Sequence, residues 1–276
     1  MITNALTIDV EDYFQVSAFA PYIRRDDWDN CECRVERNVA RILALLEKAG
    51  VKATFFTLGW IAERYPAVVR DIVAGGHELA SHGYGHQRAS DLTPEQFLDD
   101  IVRAKALLED LGSVEVRGYR APSFSIGAAN RDWAFACLDR AGYRYSSSVY
   151  PVRHDHYGMP DAPRFSYQVH TDLIEVPPTT VRLFNRNLPA SGGGYFRLMP
   201  YGLSRLLIQR VNRVEEQSAV FYFHPWEIDA DQPRVAGIDA KTRFRHYVNI
   251  DRMEQRLTRL VRDFAWGRMD RIFLPQ

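Results

Sequence analysis

Short apolar segments alternate with amphipathic helical segments along most of the chain, and no other feature of the sequence constrains the fold as strongly. The apolar segments are rich in β-branched and aromatic residues, which predicts buried strands. Short loops join each strand to the next helix, a pattern typical of βαβ units and a parallel sheet. The predicted strands are 5–10, 51–57, 77–80, 116–120, 143–146, 173–176 and 219–224. The predicted helices are 34–49, 66–74, 93–111, 130–141, 203–214 and 251–264. The polar segments 153–168 and 228–247, which contain proline and glycine, are predicted to be long loops.

The composition is that of a globular protein. Of the 276 residues, 46% are hydrophobic and 25% are charged, which excludes a disordered or collagen-like chain. The 35 Lys and Arg residues balance the 35 Asp and Glu residues, so the formal net charge is zero. Nucleic-acid and anionic-membrane binding both depend on an excess of basic groups. We therefore predict no nucleic-acid partner and no general membrane affinity, while a local basic patch stays open.

The sequence predicts a cytoplasmic protein. No apolar run approaches the roughly 18–20 residues that cross a bilayer, which predicts no transmembrane segment. The first residues contain neither the basic region nor the extended apolar region of a secretory signal. The three cysteines, Cys31, Cys33 and Cys137, are expected to be reduced thiols. A metal site with two thiolates is the alternative for the first two.

Four residues with reactive side chains stand at or just after the ends of predicted strands: Asp9, His82, Arg120 and His224. In α/β folds, sites are built at the carboxyl ends of the strands. The sequence therefore places its candidate site at this edge of the predicted sheet.

Two patterns near these strand ends suggest a metal. His82 and His86, spaced four residues apart, can offer imidazole nitrogens to one cation. Two surface histidines in a glycine-containing loop are the alternative. Asp9, Glu11 and Asp12 repel one another unless a cation or base offsets their charges. A carboxylate is a natural third ligand beside two histidines. A solvated acidic turn is the alternative for this cluster.

Two other patterns suggest groups that act on a substrate. Arg120 could orient a carboxylate through two hydrogen bonds, and the proline-stiffened turn after it could aim a backbone N–H at an oxyanion. His224 ends an aromatic strand and could act as a general acid. The alternatives are a surface arginine with an ordinary turn, and a core histidine whose hydrogen bonds are satisfied.

Together these patterns resemble the polysaccharide deacetylases, the NodB-homology family that is also called carbohydrate esterase family four. The resemblance rests on the acidic cluster after the first strand and spans about residues 5–226. The other motifs are KATFF at 52–56, GHE at 76–78, SHGYGH at 81–86, RAP at 120–122 and FH at 223–224. DVEDYF at 9–14, SGGGYFR at 191–197 and HPWE at 224–227 resemble the subgroup associated with bacterial exopolysaccharide gene clusters.

This resemblance implies an α/β fold, namely a distorted (β/α) barrel with fewer than eight parallel strands. It implies a single polysaccharide-deacetylase-like domain over 1–276, in which 228–276 is a C-terminal extension particular to the subgroup. The implied activity is hydrolysis of N-acetyl groups on amino sugars of a poly- or oligosaccharide, in exopolysaccharide biosynthesis. The implied partner is an acetylated saccharide, and the implied cofactor is a divalent metal, usually zinc. The alternatives are hydrolysis of another non-peptide C–N bond, such as a ureide or cyclic amide, and a non-catalytic carbohydrate-binding protein.

The resemblance also implies roles for individual residues. The metal-binding histidines of the family fall on His82 and His86, and its catalytic base falls on Asp9. The arginine that positions this base falls on Arg120. The two remaining roles, the oxyanion-hole N–H and the general acid, fall on Ser123 and His224.

Two positions depart from the family. Val10 stands where the family usually has its metal-binding aspartate, and a known variant moves this ligand one residue further, onto Glu11. We prefer Glu11 to Asp12 because strand alternation returns residue i+2 to the same face. Ser146 stands where related sequences usually have an aspartate that tunes the general acid. The role of that carboxylate passes to another residue, or the general acid titrates differently.

The candidate sugar-binding residues are aromatic. Tyr150, Tyr195 and Trp226 are our predicted substrate contacts. The wider set of aromatic candidates also contains Tyr13, Phe14, Trp60, Phe124 and Phe196. Arg197 could contact a phosphate or a uronate, with a solvated arginine as the alternative. The oligomeric state stays open.

Overall fold

A nine-stranded sheet forms the centre of the fold in the computed structural model, which describes residues 2–153 and 158–275. Its strands are β1 Thr3–Val10, β2 Thr54–Thr57, β3 Glu78–Ser81, β4 Gly118–Tyr119, β5 Tyr145–Ser146, β6 Tyr167–His170, β7 Leu173–Glu175, β10 Val220–Phe223 and β11 Ala265–Gly267. A separate hairpin contains β8 Thr180–Leu183 and β9 Arg186–Pro189. The α-helices are α1 Val35–Ala49, α2 Gly59–Arg64, α3 Pro66–Ala74, α4 Pro94–Gly112, α5 Arg131–Arg140, α6 Gly193–Leu198, α7 Tyr201–Arg213, α8 Ala240–Tyr247, α9 Met253–Asp263 and α10 Met269–Phe273.

The sheet is an open barrel of parallel strands. Its order is β10-β1-β2-β3-β4-β5-β7-β6, with β11 paired to the start of β1. The seven strands from β10 to β7 are parallel, and β6 is antiparallel to β7. Within the described residues the outer strands β10 and β6 do not pair, so the barrel does not close. The predicted α/β fold, a distorted barrel with fewer than eight parallel strands, is confirmed, since seven of the eight strands along this path are parallel.

The first strand is enclosed on both sides. Ile8 of β1 lies opposite Phe223 of β10 and Phe55 of β2. Residues 4–10 are all buried, which explains why this strand reads as a nearly continuous apolar run rather than an alternating one. Asp9 interrupts the run although only 2% of it is exposed. A carboxylate at such a position needs partners, so this strand itself leads to the candidate site.

Helices cover the sheet where the apolar periodicity predicts them. All six predicted helices are present, with ends within two residues of the predicted bounds. The helix α1 ends at Gly50, whose φ of 64° is in the left-handed region that glycine tolerates. No described helix is both long and apolar enough to cross a membrane. The buried face of α1 consists of Val35, Asn38, Val39, Ile42 and Leu46.

Some elements were not predicted. Helix α8 lies in the region 228–247 that the sequence predicts as a loop, because this segment is rich in arginine and has little apolar periodicity. The hairpin β8–β9 was missed because its strands carry arginine and asparagine and expose much of their length. Of the other predicted loop, 153–168, residues 154–157 lie outside the described residues, and the end of this region begins β6.

The C-terminal region is tied to the start of the chain. The pairing of β11 with β1 runs from Thr3 opposite Ala265 to Ala5 opposite Gly267. The buried carboxylate of Asp229 accepts hydrogen bonds from Arg34, Arg37 and Asn38, at the start of α1 and beside it. Residues 228–275 thus share both the sheet and a buried ion cluster with the rest of the chain. The single domain over 1–276 with 228–276 as an extension stays a prediction.

The turn after β5 is made of buried serines and organises the carboxyl edge of the sheet. Ser147 accepts two hydrogen bonds from the Arg120 side chain, through its carbonyl and its Oγ. The Oγ of Ser148 accepts a hydrogen bond from the backbone N–H of Ala121 at 2.9 Å. The carboxylate of Glu175 accepts the N–H groups of Ser148 and the next residue at 2.8 Å each. Complete burial raises the pKa of Glu175 to about 7.

We expect Glu175→Gln to change how stability depends on pH. The folded state holds the Glu175 proton up to about pH 7, while the unfolded state releases it near the ordinary pKa of 4.5. Its contribution to the free energy of unfolding is therefore complete below pH 4.5 and is lost as the pH rises to about 7. At about 1.4 kcal/mol per pKa unit, wild type should lose about 2–3 kcal/mol of stability over this range that the variant does not lose.

Chemical denaturation across the acidic and neutral range measures this effect. Glu47→Gln, on the exposed side of α1, is the matched control and should retain the wild-type pH dependence. Equal pH slopes in wild type and Glu175→Gln would contradict the prediction.

Candidate active site

The residues predicted from the sequence meet at one edge of the sheet. Asp9 is the next-to-last residue of β1, and Glu11 follows that strand. His82 follows β3, Arg120 follows β4 and His224 follows β10. Because these strands are parallel neighbours, their carboxyl ends lie side by side, and the five side chains converge.

Glu11, His82 and His86 form a buried cluster that could hold a metal ion. One ligand atom of each residue lies within 4.8 Å of the corresponding atoms of the other two. The three residues are only 3%, 2% and 7% exposed. No other group of three such ligands occurs in the part of the chain that the structure describes. Two imidazoles and a carboxylate are the ligands of many catalytic zinc sites, which keep one position open.

A backbone contact decides which nitrogen of His82 faces the cluster. Its Nδ1 lies 2.8 Å from the carbonyl oxygen of Arg120, and since a carbonyl only accepts, Nδ1 carries the proton. Nε2 is then left with a lone pair for a metal. Burial lowers the pKa of His82 to about 4, so the ring is neutral near pH 7. Neutral imidazole is the form that binds metals.

The Glu11 carboxylate faces His86. Its Oε2 lies 2.6 Å from Nε2 of His86, and this oxygen has no other partner among the described residues. Burial alone would raise the pKa of Glu11, but the charges of His86 and His224 outweigh burial and lower it to about 2. A buried carboxylate oxygen in this position suits a cation bound between the ligands.

Asp12 points away from this cluster. Its carboxylate accepts the N–H of Tyr13 at 2.7 Å, the N–H of Arg34 and the thiol of Cys33 at 3.3 Å. Asp12 thereby caps the short 3-10 helix Tyr13–Gln15. The structure brings Glu11 rather than Asp12 to the two histidines, so the alternative ligand Asp12 is not supported by the geometry. Cys33 likewise lies at this cap and outside the cluster.

Arg120 holds Asp9 in place. The guanidinium is completely buried, and its NH1 donates to Oδ1 of Asp9 at 2.6 Å and to Oγ1 of Thr7 at 2.8 Å. Its other nitrogens bind Ser147, and its charge lies over the ring of Phe56. Oδ1 of the Asp9 carboxylate is thus fixed, while Oδ2 faces Nε2 of His224 at 3.8 Å.

His224 is held by a glutamate that the sequence analysis did not identify. Oε1 of Glu227 lies 2.8 Å from Nδ1 of His224 and accepts the backbone N–H of the same residue at 3.1 Å. Its Oε2 accepts a hydrogen bond from Nε of Arg197 at 2.7 Å. The three-residue spacing of His224 and Glu227 is the only sequence signal for this contact, since it matches a capping box. Arg197 is 1% exposed, so it does not contact a ligand phosphate or uronate as one prediction suggested.

Carboxylates on both sides of His224 determine its charge. Burial alone would lower the pKa of His224, but Glu11, Glu227 and Asp9 outweigh burial and raise it to about 9. The imidazolium is therefore the main form near neutral pH, with one N–H facing Glu227 and the other facing Asp9 and Glu11.

Ser123 occupies an unusual turn after β4. Its φ of 55° and the φ of 50° at Phe124 are both in the left-handed region, which non-glycine residues rarely adopt. Its hydroxyl forms a 2.6 Å hydrogen bond with the hydroxyl of Ser17. The turn is thus held in a defined shape close to Arg120, and the oxyanion role of the Ser123 N–H stays a prediction.

The structure does not support sugar stacking on Tyr150. This side chain is 0% exposed, its hydroxyl donates to the carbonyl of Ser191 at 3.3 Å, and its ring packs against Phe124 and Tyr222. The prediction failed because the sequence around an aromatic residue near a site motif does not indicate whether its ring packs into the core or faces the site. The other aromatic candidates that are buried, at 1–7% exposure, are Tyr13, Phe14, Trp60, Phe124 and Phe196.

Trp226 is also covered on both faces. Its ring lies between the rings of His224, at a centroid distance of 5.3 Å, and His246, at 4.1 Å. Its Nε1 donates to Oε1 of Glu11 at 3.3 Å. Trp226 therefore packs against the site residues instead of offering a face to a sugar, which corrects that prediction. Tyr195, on α6, is half-buried and retains an accessible surface.

A cavity beside the cluster offers space for a ligand. Its volume is about 200 Å³, and His86, Gln15, Arg25 and Trp28 are among its lining residues. Gln15 is 2% exposed, and its Nε2 has no hydrogen-bond partner among the described residues. His86, a possible metal ligand, and the unsatisfied amide donor of Gln15 therefore line the same cavity.

Comparison with known proteins gives one family match for each half of the chain. Residues 26–146 match the family model for polysaccharide deacetylase, and residues 147–274 match a domain of unknown function, DUF3473. Residues 26–146 are therefore similar to polysaccharide deacetylases. His82, His86 and Arg120 lie in this half, whereas His224 and Glu227 lie in the DUF3473 half.

Curated relatives agree with the first match. The chain is 34% identical over 113 residues to a peptidoglycan deacetylase-like protein of Gibberella zeae, covering 40% of this chain and 32% of that protein. It is 31% identical over 94 residues to a peptidoglycan-N-acetylglucosamine deacetylase of Bacillus cereus, covering 34% of each. A chitooligosaccharide deacetylase of Bradyrhizobium is 28% identical over 159 residues, covering 49% of this chain and 70% of that protein. The chain thus spans about a third of the length of the first two.

Solved structures support the fold. A Mycobacterium smegmatis protein named as a polysaccharide deacetylase superposes with a TM-score of 0.62 at 20% identity, covering 98% of this chain and 88% of that one. A pseudoenzyme of carbohydrate esterase family 4 from Bacillus anthracis has a TM-score of 0.51 at 17% identity, covering 98% and 64%. This fold therefore occurs with and without catalytic activity, and the activity must be judged from the site.

We expect Glu11→Gln and Asp12→Asn to separate metal binding from folding. If Glu11 is a ligand, Glu11→Gln should lose bound metal, because an amide oxygen is a weaker donor than a carboxylate. Asp12→Asn should retain the metal and lose about 1–3 kcal/mol of stability, because it weakens a buried cap. Elemental analysis after dialysis and chemical denaturation measure the two effects. Metal loss in Asp12→Asn with full metal content in Glu11→Gln would reverse the assignment.

Proposed function

We propose that this protein is a metal-dependent deacetylase that hydrolyses N-acetyl groups on amino sugars of a poly- or oligosaccharide. The observation that carries the proposal is the buried Glu11, His82 and His86 cluster, bordered by Asp9 and His224. The similarity of residues 26–146 to polysaccharide deacetylases supports the reaction class. The names of the relatives, which act on peptidoglycan and chitooligosaccharides, support an acetylated saccharide as substrate.

The three ligand residues fit zinc. His82 is neutral with a lone pair available on Nε2, and Glu11 is ionised with an unsatisfied oxygen, so the donor set is ready for a divalent cation. Two histidines and one carboxylate are a common catalytic zinc set. When bound, the ion would lower the pKa of a water molecule and polarise the substrate carbonyl.

Asp9 is the proposed general base. Arg120 engages Oδ1 of the Asp9 carboxylate and leaves Oδ2 directed toward the site. Because Arg120 is itself fixed by Thr7 and Ser147, Asp9 does not need to reorganise when it accepts a proton from the attacking water. The N–H of Ser123 is the proposed donor to the oxyanion that forms on the substrate carbonyl.

His224 is the proposed general acid, and Glu227 positions it. Protonated His224 can donate the Nε2 proton to the departing sugar amine, while Nδ1 stays bonded to Glu227. Arg197 fixes Glu227 from the other side. We propose that Glu227 takes over the tuning role that the family usually gives to the aspartate at the position of Ser146.

The substrate surface of this proposal differs from the predicted one. Tyr195 stays a proposed sugar contact, and the cavity beside His86 with its unsatisfied Gln15 amide is a proposed binding space. The three subgroup motifs support a role in exopolysaccharide biosynthesis.

Acetate release from acetylated chitooligosaccharides and peptidoglycan fragments tests the activity. We expect wild type to release acetate, and a chelator to abolish the release until zinc is restored. His82→Ala should lose the metal and the activity, and Asp9→Asn should keep the metal but lose about 10²–10⁴-fold in kcat. Bound zinc without acetate release from any N-acetylated saccharide would refute the proposal. Ammonia or a ring-opened product from ureides or cyclic amides would instead support the other C–N hydrolase.

We expect Glu227→Gln to slow amide substrates far more than aryl acetates. An amine must be protonated to leave, whereas a nitrophenolate leaves without a proton, so only the first reaction needs His224. The kcat for N-acetyl sugars should fall on the order of tenfold or more, and the kcat for 4-nitrophenyl acetate should change little. His224→Ala should show the same pattern.

The control for this experiment is Glu254→Gln, which removes a half-exposed glutamate paired with Arg41. It should leave both reactions unchanged. If Glu227→Gln slows amide and aryl ester equally, Glu227 only supports the fold, and the positioning role is wrong.

A further inference from the structure

Exposed apolar side chains are concentrated in one part of the chain. Among the described residues eleven large hydrophobic side chains are exposed, and seven of them lie between 183 and 214. Isolated exposed apolar residues are normal, but a concentration of this kind marks an interaction surface. The seven are Leu183, Phe184, Leu188, Leu198, Leu203, Leu206 and Val214.

The same part of the chain is strongly basic although the whole protein is neutral. Residues 176–214 contain six arginines and no Asp, Glu or Lys. Arg197 is buried against Glu227, which leaves five arginines on the surface. The side chains of three of the five form no hydrogen bond or ion pair in the described ranges 2–153 and 158–275, namely those of Arg182, Arg186 and Arg213. The other two lie near acids outside the segment, Arg205 near Asp263 and Arg210 near Glu215.

Helix α7 combines both features on its outer face. Its inner face is formed by Tyr201, Ser204, Ile208 and Val211, which are buried. At 100° per residue, the opposite face carries Leu203, Leu206, Arg210 and Arg213. Leu206 is 60% exposed. The outer face of α7 therefore presents leucine beside arginine, which is the composition of helices that lie on membrane surfaces.

The neighbouring hairpin β8–β9 carries the same combination of exposed apolar and basic side chains. Phe184 forms its tip and is 90% exposed, and Arg182 and Arg186 stand on either side of the two-residue turn. Both turn residues have positive φ, 46° at Phe184, which is unfavourable for an aromatic residue. A strained turn that exposes an aromatic ring is not explained by packing.

The hairpin and α7 are joined at their bases. Strand β8 packs against α7. The side chain of Arg164 bridges the two elements, since it binds the carbonyl and Oγ1 of Thr180 in β8 and pairs with Glu215, which follows α7, at 2.6 Å. We call the exposed side chains of this region the arginine-leucine surface, which consists of Arg182, Leu183, Phe184, Arg186, Leu188, Leu198, Leu203, Arg205, Leu206, Arg210, Arg213 and Val214.

We propose that the arginine-leucine surface docks on an anionic lipid bilayer. Apolar side chains partition into the interfacial region of a bilayer, and arginines beside them bind lipid phosphates. The surface supplies both and contributes no acidic residue that would repel the headgroups. A nucleic-acid surface would need the basic groups but not the exposed leucines and Phe184. The inference does not depend on the proposed deacetylase activity, because no residue of the exposed surface belongs to the candidate active site.

Vesicle co-flotation of the full chain tests this docking. Wild type should bind vesicles of phosphatidylcholine and phosphatidylglycerol, bind pure phosphatidylcholine vesicles weakly, and dissociate as salt is raised. Phe184→Ser should weaken binding at least about tenfold, because burying a phenylalanine side chain is worth more than one factor of ten. Arg210→Gln with Arg213→Gln should reduce both the affinity and its salt dependence.

Phe244→Ser is the matched control. Phe244 is also exposed, at 57%, and has arginines at 243 and 245, but it lies on α8 outside the arginine-leucine surface. This variant should bind vesicles as wild type does. Thermal unfolding should show that each variant remains folded, since the substituted side chains are all exposed.

Several outcomes would overturn the proposal. In one, wild type fails to bind anionic vesicles at low salt. In another, Phe184→Ser binds these vesicles as tightly as wild type does. If wild type binds heparin or DNA as well as it binds vesicles and only the arginine variants lose this binding, the surface recognises polyanions. If wild type is a dimer in solution and Phe184→Ser is a monomer, the surface pairs with a second copy of the chain.

Discussion

The buried guanidinium of Arg120 is the interaction on which the rest of the site depends. It is completely excluded from solvent, and its charge is met by Asp9, Thr7 and Ser147. Removing one partner of a buried ion pair typically costs about 3–5 kcal/mol, because the other charge stays buried. The carbonyl of the same residue determines the tautomer of His82. One residue therefore orients the proposed base through its side chain and a proposed metal ligand through its backbone.

A second series of buried polar groups positions His224 on the other side of the site. Arg197 bonds to Glu227, and Glu227 bonds to His224. These residues belong to the DUF3473 segment, whereas His82, His86 and Arg120 belong to the deacetylase segment. Asp9 and Glu11 precede both segments. The site is thus assembled from three stretches of chain, and neither family model covers all of it.

Sequence patterns predicted the sheet and the residues at its edge because both follow from local rules. Burial on both faces makes β1 continuously apolar, and the acidic cluster at the end of this strand identified Asp9 as a candidate. Strand periodicity favoured Glu11 over Asp12 as the metal ligand, and in the structure Glu11 lies beside the two histidines whereas Asp12 caps a 3-10 helix. The predictions for Tyr150 and Trp226 failed for a related reason. Local pattern indicates that an aromatic ring is near the site, but not which neighbours cover its faces.

The sequence by itself determined the order of the seven strands and six helices that have a clear apolar pattern, the residues that stand at strand ends and the overall balance of charge. Those properties depend on the chemistry of neighbouring residues. Only the tertiary structure decided that Glu227 contacts His224, that Arg197 is buried, and that leucines and arginines of α7 and the β8–β9 hairpin are exposed. Each of these depends on contacts between residues distant in the chain or on which face of an element is covered. A total charge of zero concealed a basic, partly apolar surface because a sum over the chain carries no positions.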